Sequence, residues 1–126
     1  MKVLVVDDSK MSRRVLQKSL PEALKERAEI FEASNGIEAM KVVGKESPEL
    51  IFLDLTMPEM DGYAVLEALK EQGVETEVIV VSADVQSGSE ERVTELGARC
   101  HLQKPVSKEA LFPHLKDIIA KQIQSS

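Results

Sequence analysis

Aromatic residues are scarce in this chain of 126 residues: no tryptophan, one tyrosine (Tyr63) and three phenylalanines, 3% in all. A solitary Tyr63, expected half-buried on a helix, offers no stacking platform for nucleic-acid bases. The two histidines, His101 and His114, are too few and too scattered for a transition-metal site. Met57-Pro58-Glu59-Met60 is read as a turn with packing roles, not as a methionine metal site. A single cysteine, Cys100, cannot form an internal disulfide, and its strand-like neighbours suggest burial. Long hydrophobic runs are missing too. Met1-Lys2 leads into Val3–Val6, far short of the ~20 apolar residues a membrane span needs. Positive charge is in deficit, with 16 basic against 22 acidic residues and a net charge of −6. That balance argues against direct binding to nucleic acid or anionic membranes. A cytoplasmic location is the expectation.

The composition that remains is globular, 43% apolar and 30% charged. Residues 1–126 are read as one domain, long enough to bury roughly 65–70% of its unfolded surface. No repeat, linker or low-complexity tract interrupts it. Short β-rich runs recur at Val3–Val6, Glu29–Ala33, Leu50–Leu53, Val78–Val81 and Cys100–Gln103. Runs this apolar, separated by segments long enough for crossover helices, predict parallel strands buried on both faces. Five such units predict a doubly wound α/β sheet.

The helix signals are local. Ser9 is the expected cap of the first helix, with Met11, Val15, Leu16 and Leu20 as its inner stripe. Pro21 should end or kink it, and Pro21–Leu24 can add a short turn. Asn35-Gly36 turns into a helix over Ile37–Val43, which Gly44 is expected to close. Asp61 should cap the helix bearing Val65, Leu66 and Leu69, and Gly73 should terminate it. Glu90–Leu96, with only Val93 and Leu96 apolar, is the weakest expected helix.

Chemistry gathers at the strand ends. The first strand runs into Asp7-Asp8, the third into Asp54, the fourth into Ser82 and the fifth into Lys104-Pro105. In a doubly wound sheet, ligands bind beyond the carboxyl ends of the strands, so these groups should converge. Three carboxylates form a site for a hard divalent cation, with Mg²⁺ the natural occupant. Two such charges ~4 Å apart repel by about 4 kcal/mol at an effective dielectric near 20. A bound cation would relieve that repulsion and let a carboxylate attack a phosphoryl group. Taken singly, each of these residues reads as a helix cap or turn former; the joint pattern does not.

These stretches resemble the receiver domain of response regulators, close in extent to stand-alone chemotaxis (CheY-like) regulators. The resemblance rests on Val3–Ser9, Asp54–Gly62, Val80-Val81-Ser82-Ala83 and Lys104-Pro105. It implies a flavodoxin-like fold, five parallel strands in the order 2-1-3-4-5 with five helices. It also implies phosphorylation at Asp54 by a sensor histidine kinase in two-component signalling, with a protein target or phosphatase as output partner. By the same resemblance Asp8, Asp54 and the Thr56 backbone carbonyl hold Mg²⁺ directly, and Asp7 acts through water. Ser82, the Ala83 backbone N–H and Lys104 contact the phosphoryl group. The Lys104-Pro105 bond is expected to be cis as well. Thr56 and Asp84, each two residues past a core group (Asp54 and Ser82), should flank the attacking water and tune the phosphoryl lifetime, and Ser82 and His101 are expected to form the switch.

Two positions depart from the family pattern. His101 stands where a tyrosine or phenylalanine is usual, three residues before Lys104. Pro113 falls inside the last helix if Ser107 caps it, so a kink is expected along the Leu111, Leu115, Ile118, Ile119 stripe. The competing enzyme class is a phosphatase with a strand-end aspartyl nucleophile. It needs a second aspartate two residues later, where this chain has Thr56. The chain is therefore expected to be a switch that assists its own phosphorylation, not an enzyme acting on external substrates.

Overall fold

The computed structural model describes residues 1–83 and 88–125. All five strands fall at the expected runs: β1 (Lys2–Val6), β2 (Glu29–Ala33), β3 (Leu50–Leu53), β4 (Glu77–Ser82) and β5 (Cys100–Gln103). They pair in parallel in the order β2-β1-β3-β4-β5. Strand alternation divides the core in two. Leu4, Val6, Ile51, Leu53, Val78 and Val80 point to one face, and Val3, Val5, Leu50, Phe52, Ile79 and Val81 to the other.

Helices α3 (Gly36–Glu46), α4 (Gly62–Glu71) and α5 (Ser89–Glu95) cover the first face. Helices α1 (Lys10–Lys18), α2 (Glu22–Lys25) and α6 (Lys108–Ser125) cover the second. Six helices thus stand among the described residues where the resemblance implies five. The extra one is the single turn α2, which Pro21 starts and whose Leu24 is fully buried. The sequence-read caps are in place: Ser9 accepts from Ser12 N–H, Asn35 from Glu38 N–H and Asp61 from Ala64 N–H.

Two local expectations need correction. Gly44 does not close α3; the helix continues to Glu46 and ends at Ser47, which takes φ 50° just before Pro48. Gly44 faces open space, so the helix tolerates it at about 1 kcal/mol. Met11 and Val15 are not in the inner stripe of α1, being 69% and 40% exposed. At 100° per residue, Leu16 and Leu20 set the buried direction, and Met11 and Val15 lie well around the helix from it. Pro113 sits inside α6, as expected, and Ser107 Oγ accepts from Ala110 N–H at the start of that helix. The buried stripe of Leu111, Leu115, Ile118 and Ile119 continues across that point and holds the two halves to the sheet.

Candidate functional site

The site is an extension of the sheet. Asp7, Asp54 and Lys104 each lie one step past their strands and are still tied to a neighbouring strand by a backbone hydrogen bond. Asp7 N–H donates to Ala33 O at 3.1 Å, Asp54 N–H to Val6 O at 3.0 Å and Lys104 N–H to Ser82 O at 2.9 Å. Side-chain placement there is inherited from the buried strands.

Asp7 and Asp54 are nearly sealed, at 5% and 6% exposure, and Asp8 is exposed. Carboxylate oxygens of Asp7, Asp8 and Asp54 lie within 4.8 Å of one another. Lys104 Nζ reaches Asp7 Oδ2 at 2.5 Å and Asp54 Oδ2 at 3.4 Å. Asp54 Oδ1 accepts a long hydrogen bond, 3.4 Å, from Thr56 N–H. Burial raises the Asp54 carboxyl above the ordinary carboxylate range; Lys104 opposes that rise and Asp7 adds to it. Burial works against the Lys104 ammonium, but its hydrogen bond to Asp7 and the Asp54 charge outweigh it, and the group is raised. A sealed, partly compensated cluster of hard oxygen donors, with one exposed member, fits a small divalent cation.

Ser82 ends β4, 1% exposed, and Ala83 follows it at the surface. The Lys104-Pro105 bond is cis. His101 is half-buried on β5, with Nδ1 3.4 Å from Ser89 Oγ at the start of α5. Its Nε2 is buried and has no hydrogen-bond partner among the described residues. Thr56 is exposed beside Asp54. Asp84 lies outside the described residues.

Two features were not read from the sequence. Arg13 Nη1 donates to the Asp7 carbonyl at 2.6 Å, and its Nε to Glu32 at 2.8 Å, bracing the first acidic residue from α1. The signal was only an arginine one turn after the acidic pair. The second is a cleft of about 150 Å³ running from Asp7, Asp54 and Lys104 along Met11, Val15 and Pro105. The exposed pair on α1 gives the site an apolar lip.

Residues 3–116 match the family model of the response regulator receiver domain. This chain belongs to that family. Receiver domains of two-component systems are regulatory and take a phosphoryl group from sensor kinases. The receiver domain is 36% identical over 122 residues to sporulation initiation phosphotransferase F of Bacillus subtilis, covering 97% of this chain and 93% of that protein. It spans about half the length of the probable transcriptional regulator ycf27 of Porphyridium aerugineum, 32% identical over 127 residues and 99% of this chain. The solved structure of the chemotaxis protein CheY4 of Vibrio cholerae superposes with a TM-score of 0.78 at 27% identity, covering 93% of this chain and 97% of that one. No described helix is long and apolar enough to cross a membrane.

Proposed function

We propose that this receiver domain, residues 1–126 as one unit, is a phosphorylation-driven binding switch with Asp54 as phospho-acceptor and Mg²⁺ as cofactor. The observation that carries the reading is Lys104 bridging Asp7 and Asp54 inside a three-carboxylate cluster. Asp8, Asp54 and the Thr56 carbonyl would hold the cation directly, and Asp7, already engaged by Lys104, would act through water. When bound, the cation supplies charge neutralisation, lowering the repulsion between carboxylate and phosphoryl group.

Asp54 attacks phosphorus, forming an O–P bond as the P–N bond of the donor's phosphohistidine breaks. The imidazole nitrogen keeps the bonding electron pair. Lys104, 3.4 Å from Asp54 Oδ2, is placed to follow the new negative charge. Ser82 and the Ala83 N–H would approach the phosphoryl oxygens from β4. His101 would then turn toward the space that Ser82 leaves, remodelling the α5–β5–α6 surface. The orphaned Nε2 supports this, because a buried unpaired polar atom makes the resting arrangement costly.

The phosphodonor is a sensor histidine kinase and the output is a protein target or phosphatase. The apolar lip of Met11, Val15 and Pro105 beside Asp54 suits docking of a protein donor. Thr56 and Asp84 would flank the approach of hydrolytic water and set the phosphoryl lifetime.

The test is phosphorylation by acetyl phosphate with Mg²⁺, followed by mass-spectrometric mapping. A single phosphoryl group on Asp54 is expected. A label on another residue, or uptake independent of Mg²⁺, would contradict the reading.

A further inference from the structure

Two glycines of this domain approach backbone too closely to carry a side chain, and both grip the loop after Asp54. A Cβ on Gly62 would lie 2.3 Å from the Asp54 carbonyl oxygen and 2.8 Å from Leu55 Cα. A Cβ on Gly36 would lie 2.4 Å from the Met60 carbonyl oxygen and 2.7 Å from Met60 Cγ. Gly62 begins the helix that follows this loop, so its contact is local. Gly36 begins α3, an element the loop does not lead into, and it contributes no side chain to the acid cluster.

Backbone hydrogen bonds fall at the same two places. Gly36 N–H donates to Met60 O at 3.0 Å, Gly62 N–H to Leu55 O at 3.1 Å, and Met60 N–H to Pro58 O at 2.8 Å. Thr56 lies between the anchored ends. Leu55 and Met57, on either side of it, are buried in the core shared with α3 and α4. Glu59 takes φ 67°, a left-handed conformation that a non-glycine residue holds only where its surroundings impose it. The loop's path is thus dictated by what it packs against, and the first turn of α3 is one wall of that packing.

We infer that Gly36 is a positioning residue for the metal site: the bare first turn of α3 holds the Leu55–Met60 loop at the height that presents the Thr56 carbonyl. The inference rests on the Mg²⁺ role proposed above. A Cβ at position 36 must push on the Met60 carbonyl, a backbone atom that cannot swing aside as a flexible side chain can. The displacement would pass along the loop to Thr56 and leave Asp7 and Lys104 in place.

Gly44 provides the control, being on the same helix with nothing within 4 Å of the place a Cβ would take. Mg²⁺ binding to the full chain would be measured by calorimetry for the parent, Gly36→Ala and Gly44→Ala, with melting curves recorded in the absence of Mg²⁺. Gly36→Ala should weaken Mg²⁺ binding tenfold or more, and Gly44→Ala should stay within twofold of the parent. A Gly36→Ala protein that melts earlier yet binds Mg²⁺ with the parent's affinity has lost only stability, and that result overturns the inference. Should Gly36→Ala fail to fold, the parent alone decides by NMR. The Gly36 amide should exchange several-fold more slowly as Mg²⁺ saturates the site, with Gly44 unaffected; an unresponsive Gly36 amide overturns the inference. A parent that binds no Mg²⁺ overturns the proposed function itself.

Discussion

The two halves of the site are built to different standards. On the β1–β3 side, Asp7 and Asp54 are sealed, their backbones belong to the sheet ladder, and the following loop is held from two helices. On the β4–β5 side, α5 is a helix of seven residues with Val93 its one fully buried apolar side chain, and Gly88 supplies no side-chain cap. His101 on that side carries a buried nitrogen without a partner among the described residues. The first half keeps charges where repulsion would drive them apart, and that needs rigidity. In the proposed switch the second half changes when the charge changes, and marginal packing would make that change inexpensive.

Substitution of Asp54 should break this comparison most completely. Asp54→Asn should abolish labelling by acetyl phosphate and leave the fold intact. The sign of its effect on stability follows from the raised carboxyl. The contribution of protonated Asp54 is fully present below its unfolded pKa and is lost as pH rises through the higher folded value. Asn carries no charge that burial disfavours, so once the pH has passed that folded value the variant should melt no lower than the parent without Mg²⁺. A clear drop in melting temperature would contradict this.

Next in size is the division between the acidic pair. Mg²⁺ should raise the parent's melting temperature by mass action. Asp8→Ala should remove most of that rise, and Asp7→Ala less of it. Equal losses would show that Asp7 is a direct ligand.

The α5 side gives smaller effects. Val93→Ala should cost roughly 1–3 kcal/mol in denaturant melts, with Mg²⁺ affinity unchanged. A change in Mg²⁺ affinity would mean the halves are not separable. His101→Phe removes the orphaned Nε2 and should stabilise the unloaded protein by about 1 kcal/mol. Destabilisation would show that the imidazole is better satisfied in solution than its surroundings here indicate.

Strands and acidic cluster were legible in the sequence because both depend on short-range pattern. Four-residue apolar runs such as Leu50–Leu53, too short for a helix, fit strands buried on both faces, and the residue after each then emerges at the sheet's end. Capping was legible for the same reason, at Ser9, Asn35 and Asp61. What escaped depends on partners distant in the chain. Met11 and Val15 share an i, i+4 stripe and Leu16 and Leu20 another, and only the packing of α1 against the sheet decides which of the two is buried. Gly44 looked like a stop, yet in open space its low propensity is too weak to end a helix that Ser47 and Pro48 end next. Gly36 looked like a turn residue; its contact with Met60 comes from the topology, which lays α3 beside α4. Arg13 needed the same information, since it joins Glu32 on β2 to the carbonyl of Asp7.

Hydrogen exchange, with and without beryllofluoride and Mg²⁺, tests the contrast between the halves most directly. Amides of β1 and β3 should be strongly protected in both states. Those of α5 and β5, residues 89–103, should exchange quickly in the unloaded protein and slow at least tenfold on loading. Equal protection of the two halves before loading, or a change confined to β1 and β3, would contradict the account.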